Sequence, residues 1–247
     1  MPAGYREDLA FVHDQGFTGF TLDAAPRLAA LFGKRKPSGI SIVELGCGSG
    51  RLAAALSRKG FAVMGIDSSR AMIALAKRNA PRAKFRTGSL WTAPIPRCNA
   101  VFAVGEVLNY QFGGTNSTRS LRGLFSKVYR ALAPSGMVVF DVLCEGPTRR
   151  TVRSRNFTQG KSWLVAVEKE DSPRSIVRRI STFRRVKGRY RRSFEVHAVR
   201  RYRADDVVAG LKGAGFLVTV RRGYGRKQSG SGLTIFIGKK PGGESRR

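Results

Sequence analysis

The chain has 247 residues, and its 46 lysines and arginines outnumber 16 aspartates and glutamates, for a formal net charge of +30. Its hydrophobic content of 42% is ordinary for a globular protein, which excludes wholesale disorder, a collagen-like chain and a coiled coil. Three separated cysteines, Cys47, Cys98 and Cys144, exclude a disulfide framework and a cysteine zinc site.

The positive charge is denser toward the carboxyl end. Residues 1–144 contain 19 basic and 8 acidic side chains, whereas residues 145–247 contain 27 and 8. Such a field favours an anionic partner, although an arginine-rich composition spread over solvated surfaces explains it equally well. The acidic amino terminus and the lack of a long apolar run predict a cytoplasmic protein without a membrane partner.

Apolar runs and helical patterns alternate through the first part of the chain. Two amino-terminal helices are predicted at 5–14 and 22–32. Further along, strands are predicted at 40–45, 61–66, 84–87, 100–104 and 137–143, with helices at 51–59, 68–77 and 117–132. Apolar strands alternating with helices indicate a parallel sheet covered on both faces.

The pattern changes after Cys144. Residues 162–167, 176–186 and 190–202 are rich in strand formers, and Lys187-Gly188 suits a hairpin turn, so an antiparallel insertion is predicted. A helix at 205–212 and strands at 216–220 and 233–237 then resume the α/β pattern. The predicted division is 1–144, an insertion at 145–203, a completing segment at 204–240 and a tail at 241–247.

The strongest chemical signal is Glu44-Leu45-Gly46-Cys47-Gly48-Ser49-Gly50, between a predicted strand and helix. Its glycines permit a tight turn and close ligand approach, and the next helix directs its amides at the loop. A dinucleotide fingerprint needs glycine at position 51, where Arg51 stands. Asp67, 17 residues beyond Gly50 and at the end of the second strand, can accept both hydroxyls of a ribose, or merely cap the helix at Ser68.

This acid-preceded G-x-G-x-G loop with Asp67 resembles the first motifs of the class I S-adenosylmethionine-dependent methyltransferases, over residues 40–143. The resemblance implies S-adenosylmethionine as cofactor and a doubly wound, seven-stranded Rossmann-like α/β sheet whose last strand inserts antiparallel. The amino-terminal helices and the antiparallel insertion after the fifth strand, both predicted from the sequence pattern, complete the arrangement. That arrangement is most similar to the small-molecule branch, which methylates amines of amino acids or amino sugars.

The resemblance also assigns the cofactor site. Glu44 would hold the ammonium end of the cofactor, and the first helix, with Tyr5, would cover it. Ser89 stands where relatives often carry aspartate, so a neutral hydroxyl should bind the adenine more weakly. Leu90 and Trp91 are expected either to sandwich the adenine ring or to pack beneath the loop that carries them. The predicted cofactor residues are Tyr5, Glu44, Gly46, Cys47, Gly48, Gly50, Asp67, Ser68, Ser89, Leu90 and Gly105, with no metal ion.

The acceptor pocket of the family opens at the end of the fourth strand, here Val104-Gly105-Glu106-Val107-Leu108-Asn109-Tyr110. The proline-containing motif of base-amino methyltransferases, the Pro-Cys of cytosine carbon-5 enzymes and the glutamate pair of protein arginine enzymes are absent from the sequence. Methyl transfer needs alignment, and a base only if the acceptor loses a proton.

Four acceptor-side residues are catalytic candidates: His13, Asn109, Tyr110 and His197. His13 shares a helix face with Tyr5, and His197 shares a strand face with Glu195. The alternative for His13 is a histidine buried in the core. The alternative for His197 with Glu195 is a solvent-exposed pair at the edge of a sheet. Tyr224 is a further pocket candidate.

Adjacent arginines of the insertion, such as Arg178-Arg179, point to opposite sides of a strand and do not form one phosphate track. Interleaved aromatics, among them Phe183 and Phe194, suit RNA contact and a sheet core alike. The predicted function is methyl transfer to a small molecule, with an anionic acceptor as one option and nitrogen favoured over oxygen. The alternatives are an RNA methyltransferase and a non-catalytic relative, and a homodimer is possible.

Overall fold

A computed structural model of the chain describes residues 4–112, 117–146, 150–224 and 233–242. The helices are α1 (Glu7–Gly16), α2 (Gly19–Ala30), α3 (Arg51–Arg58), α4 (Arg70–Asn79), α5 (Thr118–Ala131) and α6 (Ala204–Gly213). The strands are β1 (Ser41–Leu45), β2 (Ala62–Asp67), β3 (Lys84–Thr87), β4 (Cys98–Ala103), β5 (Leu132–Leu143), β6 (Val152–Gly160), β7 (Trp163–Asp171), β8 (Ser175–Val186), β9 (Arg189–Arg200), β10 (Leu217–Arg221) and β11 (Leu233–Lys239).

A seven-stranded sheet forms the centre of the fold, in the order β10-β11-β5-β4-β1-β2-β3. Strands β1 to β5 pair in parallel, and β11 runs antiparallel to both β5 and β10. The predicted seven-stranded sheet with an antiparallel last strand is therefore confirmed.

Helices cover both faces of this sheet. On one face, Leu28 of α2 and Leu52 of α3 pack with Ile42 of β1. On the other, Phe125 of α5 and the helix α6 pack with Val43, the next residue of β1. Successive strand residues thus face two separate cores, which explains why two apolar residues, Ile42 and Val43, are adjacent in β1.

The insertion is an antiparallel sheet in the order β6-β7-β8-β9. Lys187 and Gly188 join β8 to β9 with φ angles of 48° and 82°, the left-handed conformation of the predicted hairpin turn. Strand β6 was not predicted, because its residues are mostly exposed and lack an apolar alternation. Bridges from Tyr110 to Val199 and from Cys144 to Tyr202 hold this sheet over the carboxyl ends of β4 and β5.

Serine side chains cap the amino termini of two helices. Ser69 Oγ accepts a hydrogen bond from the Met72 amide at the start of α4, and Ser117 Oγ accepts from the Ser120 amide at the start of α5. Helix α5 ends at Ala131, and β5 begins at Leu132, earlier than the predicted residue 137.

None of the helices within the described ranges is long and apolar enough to cross a membrane. Among the same residues, no group of three histidine, cysteine or acidic side chains is arranged to hold a metal ion.

Candidate functional site

A cavity of about 390 Å³ lies at the carboxyl edge of the central sheet, beneath α1. Because the strand order there is β4-β1-β2-β3, the loops after these strands line it in that sequence. Predicted residues in its wall are Tyr5, His13, Gly46, Gly48, Asp67, Ser68, Ser89, Leu90, Gly105 and Tyr110. The predicted residues Glu44, Cys47, Gly50, Asn109 and His197 are outside the wall. The site thus combines a glycine loop, an acid and an aromatic end.

The glycine loop presents bare backbone to the cavity. Gly46, Gly48 and Gly50 have φ angles of 65°, 51° and 75°, the left-handed region that favours glycine. A Cβ on Gly46 would lie 2.7 Å from the Val107 side chain, so no larger residue fits there. Cys47 turns its thiol toward the interior, beside Gly65.

Asp67 fixes the loop from the neighbouring strand. Its Oδ2 accepts from the Gly48 amide at 2.9 Å, and its Oδ1 accepts from the Ser69 amide at 2.8 Å. Burial raises the pKa of Asp67, while these two bonds act in the opposite direction. Ser69 rather than Asp67 caps α4, so the carboxylate, which lines the cavity, remains available to a ligand.

Glu44 lies behind the loop and is 3% exposed. Within the described part of the chain its Oε2 has no hydrogen-bond partner. Burial, reinforced by the negative charge of Asp67, raises the pKa of Glu44 to about 8. Because Glu44 does not line the cavity, the parts of the site that fit S-adenosylmethionine are the backbone cradle at Gly46 and Gly48, which suits the methionine portion, and the carboxylate of Asp67, which suits the ribose hydroxyls.

The raised pKa of Glu44 makes stability depend on pH. The ordinary pKa of Glu44 is 4.5 and its pKa in the folded protein is about 8. The protonated carboxyl therefore makes its full contribution to stability below about pH 4.5, and this contribution is lost as the pH rises toward 8. We expect Glu44→Gln to raise the free energy of unfolding at about pH 8 by about 4 kcal/mol and to change it little near pH 4.5. Urea denaturation at both pH values measures this. Equal stability of Glu44→Gln and the wild type at pH 8 would contradict this expectation, and so would a similar gain from the exposed control Glu145→Gln.

The loop after β3 forms the end of the cavity assigned to adenine. Ser89 Oγ accepts from the Trp91 amide at 3.2 Å, which leaves its hydroxyl proton free to donate. Lys127 of α5 donates to the carbonyl oxygens of Leu90, Trp91 and Ala93 at 3.1, 2.9 and 3.0 Å. Lys127 therefore fixes the shape of this loop, a role hidden in the sequence because it lies on a helix remote from the loop.

The opposite end of the cavity is aromatic. The Tyr5 and Tyr110 hydroxyls are 2.8 Å apart, and Tyr110 donates to Glu106 at 3.2 Å. Arg178 pairs bidentately with the Glu106 carboxylate and donates to Tyr110 at 3.2 Å. Since the single Tyr110 proton goes to Glu106, Tyr5 donates to Tyr110, and the lone pairs of the Tyr5 oxygen remain for an acceptor molecule.

His13 also lines this end, with its ring 5.2 Å from that of Tyr5 in an edge-on arrangement. Burial lowers the pKa of His13, so its imidazole is neutral at pH 7. Its Nδ1 is buried and lacks a hydrogen-bond partner among the described residues. A neutral ring retains one unprotonated nitrogen, so it can receive a proton.

His197 and Glu195 lie behind Tyr5. They are 1% and 7% exposed, and His197 Nε2 is 3.0 Å from Glu195 Oε2, so the alternative of a solvated edge pair is wrong. The Glu195 carboxylate accepts from the amides of Tyr5 and Arg6 at 2.8 and 2.9 Å. The pair therefore positions the segment that carries Tyr5.

Asn109 is fully buried and bonded to backbone. Its Nδ2 donates to the carbonyl oxygens of Leu143 and Arg200 at 3.0 and 2.6 Å, and its Oδ1 accepts from the Leu143 amide at 3.1 Å. The structure thus gives Asn109 a connecting role between β5 and the end of β9, away from the cavity wall.

Asp141 of β5, which sequence reasoning missed, holds the turn after β4. The fully buried carboxylate accepts from the Gly105 and Glu106 amides, at 2.9 and 2.5 Å, and from the Tyr224 hydroxyl at 2.7 Å. Burial raises its pKa to about 6, against the lowering effect of these donors. Glu106 keeps a positive φ of 54° in this turn. Tyr224 therefore supports the turn rather than lining the cavity.

Removing the Asp141 carboxylate would leave three buried donors without an acceptor. We expect Asp141→Ala to lower the free energy of unfolding at pH 7 by about 3 kcal/mol, and Tyr224→Phe, which removes one donor, to lower it by about 1 kcal/mol. Chemical denaturation of the two variants checks the order. A Tyr224→Phe loss as large as that of Asp141→Ala would contradict this account.

Ion pairs tie α1 down over the cavity. Asp14 accepts from Arg51 Nε and Nη2, each at 2.8 Å, and from Asn79 at 3.0 Å. Although burial opposes ionisation of Asp14, the Arg51 bonds hold its pKa below the usual range. At the other end of α1, Arg191 binds Asp8. Arg51, which replaces the glycine of a dinucleotide fingerprint, thus anchors the covering helix.

Comparison with known proteins agrees with this geometry. A family model described as a methyltransferase domain matches residues 42–136. The "Putative methyltransferase GWCH70_2453" of Geobacillus sp. (strain WCH70) is 27% identical over 186 residues, which are 72% of this chain and 74% of that protein.

Two solved structures share the fold across nearly the whole chain. An S-adenosylmethionine-dependent methyltransferase from Clostridium acetobutylicum ATCC 824 superposes with a TM-score of 0.76 at 16% identity, covering 94% of this chain and 98% of that one. The sugar N-methyltransferase KedS8 from Streptoalloteichus sp. ATCC 53650 gives 0.75 at 17% identity, covering 98% and 95%. Residues 42–136 thus match a methyltransferase domain, and the sequence matches, the shared fold, the glycine loop and Asp67 together support the class I S-adenosylmethionine-dependent methyltransferase family.

Proposed function

We propose that this methyltransferase transfers the methyl group to the nitrogen of a small-molecule amine. The observation that carries the proposal is the chemistry of the aromatic end of the cavity, where Tyr5 and His13 offer hydrogen-bond acceptors. An amine that still carries N–H protons can donate to both of them. The bound cofactor supplies an electrophilic methyl group on a sulfonium.

The two ends of the cavity would have different roles, cofactor binding at one and acceptor binding at the other. The loop at Gly46 and Gly48 would hold the methionine portion, Asp67 the ribose hydroxyls, and the loop at Ser89 the adenine. At the other end Tyr5 would orient the amine through its oxygen, and His13 would take the proton that the nitrogen loses. Displacement at a methyl group depends mainly on alignment and on exclusion of water, which α1 provides as a cover.

The same end of the cavity disfavours a carboxylate as acceptor. A carboxylate would need a free cation beside it, but the two guanidinium nitrogens of Arg178 are engaged by Glu106. The likeness in fold to a sugar N-methyltransferase supports nitrogen as the acceptor atom.

The test is release of the demethylated cofactor by nuclease-treated enzyme with a panel of acceptors. The panel pairs amino sugars and amino acids with analogues in which a hydroxyl replaces the amine, and adds carboxylic acids and RNA. We expect at least one amine to turn over about 100-fold faster than its hydroxyl analogue. Turnover of carboxylic acids or RNA alone, or of no member by an enzyme that binds the cofactor, would contradict the proposal.

A further inference from the structure

The arginines of the second sheet form two chemically different sets. On the inner face, which packs on α1, Arg178 pairs with Glu106 and Arg191 pairs with Asp8. Their chain neighbours Arg179 and Arg192 point to the outer face, because successive strand residues alternate. The inner set is therefore neutralised by the acids of the site, while the outer set is directed away from it.

The outer face places arginines beside aromatic rings. In the β8–β9 register, Arg185 is opposite Tyr190, Phe183 is opposite Arg192, and Ser181 is opposite Phe194. Arginine and aromatic side chains thus alternate along β9 at Tyr190, Arg192 and Phe194, and two arginine–aromatic pairs lie across the two strands. Tyr190 and Phe194 are 65% and 46% exposed, and on β6 of the same face Phe157 is 71% exposed. Six residues, Arg179, Arg185, Arg192, Phe183, Tyr190 and Phe194, are named the Arg-aromatic face.

The three arginines of the Arg-aromatic face are exposed and make no ion pair with any described residue. Two outward acids, Glu168 and Glu170, are instead paired with Arg155 and Arg153 of β6. The face thus keeps an excess of positive charge on a platform of flat apolar rings. Two copies of such a face would repel each other, whereas a polyanion would be attracted.

We propose that the Arg-aromatic face binds single-stranded nucleic acid, with the arginines contacting phosphates and the rings stacking on bases. Sheets that bind single strands combine these two elements, and stacking tolerates any base because each has a π face. A strand bound there lies on the side of the sheet opposite Arg178 and His197. It is therefore a ligand separate from the methyl acceptor, and this proposal stands independently of the proposed function.

The test is fluorescence anisotropy of nuclease-treated protein with labelled single strands of about 12 nucleotides. Oligouridine and oligothymidine distinguish RNA from DNA, and a DNA duplex of the same length measures the contribution of stacking. We expect both single strands to bind more tightly than the duplex. Three phosphate contacts predict an affinity that falls about 20-fold between about 50 and 200 mM salt.

Variants locate the site. We expect Arg179→Glu/Arg185→Glu/Arg192→Glu to weaken binding at least 30-fold, and Tyr190→Ala/Phe194→Ala to weaken it at least 5-fold without changing the salt dependence. The control Lys77→Glu/Arg78→Glu/Arg82→Glu makes the same charge change at α4 and the turn after it, and should cost less than 3-fold. Retained S-adenosylmethionine binding shows that each variant is folded.

Three outcomes would overturn the proposal. One is equal loss in the control variant, which would make the binding non-local. Another is a wild-type protein that shows no preference for single strands, because it binds neither form or binds the duplex as tightly. The third is a dimer, detected by sedimentation velocity, that Tyr190→Ala/Phe194→Ala dissociates, since the face would then be an interface between copies of this chain.

Discussion

Asp67→Asn should lower the affinity for S-adenosylmethionine at least 100-fold. A carboxylate that accepts two ribose hydroxyls makes two charge-assisted hydrogen bonds, each worth about 1.5–3 kcal/mol, and about 2.7 kcal/mol corresponds to 100-fold. The amide keeps the size of the side chain but loses the charge, and its NH₂ group would face either the Gly48 or the Ser69 amide. Isothermal titration calorimetry of the variant and the wild type measures the difference.

A matched control separates ribose binding from a general loss of charge. Asp23 of α2 is an exposed aspartate outside the cavity wall, so Asp23→Asn should bind the cofactor like the wild type. Circular dichroism melting establishes that Asp67→Asn is folded. If the folded Asp67→Asn protein bound the cofactor within 3-fold of the wild type, the assignment of the ribose site would be wrong.

His13→Asn should lower kcat with the identified amine by about 10²–10³, with cofactor affinity retained within about 3-fold. Asparagine keeps a polar side chain but cannot take a proton from the amine. Because burial lowers the His13 pKa below its ordinary 6.5, the wild-type rate should fall only as the pH drops below that value. In His13→Asn this fall in rate at low pH, the acid limb of the pH–rate profile, should disappear.

The comparison variant for His13 is His197→Asn. His197 is outside the cavity wall and acts through Glu195 on the segment of Tyr5, so its loss should raise KM with a smaller effect on kcat. Steady-state kinetics across pH on both variants distinguishes the roles. A His13→Asn enzyme with wild-type kcat and an unchanged acid limb would remove His13 from the mechanism.

The local signals in the sequence predicted most of the central fold. Apolar runs ending in Gly46 and Asp67 place both residues at the carboxyl edge of adjacent parallel strands, and parallel topology brings them together. Strand β6 escaped prediction because an exposed strand has no periodic apolar face. Its structure depends on pairing with β7, which is a tertiary effect.

The supporting residues of the site could not be predicted because their partners are distant in the chain. Asp141 is 36 positions from the Gly105 amide it holds, and Lys127 is 37 from the Leu90 carbonyl. Nothing local distinguishes Asp141 from any other aspartate in a strand. The signal that was present but unused is a charged residue in a run of otherwise buried apolar residues, since an ionisable group there requires partners.

Asn109 shows the opposite error of sequence reasoning. Its position after the fourth strand made it an acceptor-side candidate, yet an amide offers both donors and acceptors and serves backbone connections as readily as ligands. The hydrogen bond from Asn109 to the carbonyl oxygen of Arg200, at the end of β9, identifies the connecting role, and the sequence does not show this contact. The sequence locates the edge of the sheet where the site lies, and the tertiary contacts determine which side chains at that edge enter the cavity.

The most direct measurement is a crystal structure of the protein with the demethylated cofactor product. We expect the ribose hydroxyls within hydrogen-bond distance of Asp67, the adenine against the Ser89–Leu90 loop, and the sulfur facing Tyr5 and His13. A ligand bound elsewhere, or bound here with its sulfur directed away from the aromatic end, would contradict the placement of both the cofactor and the acceptor.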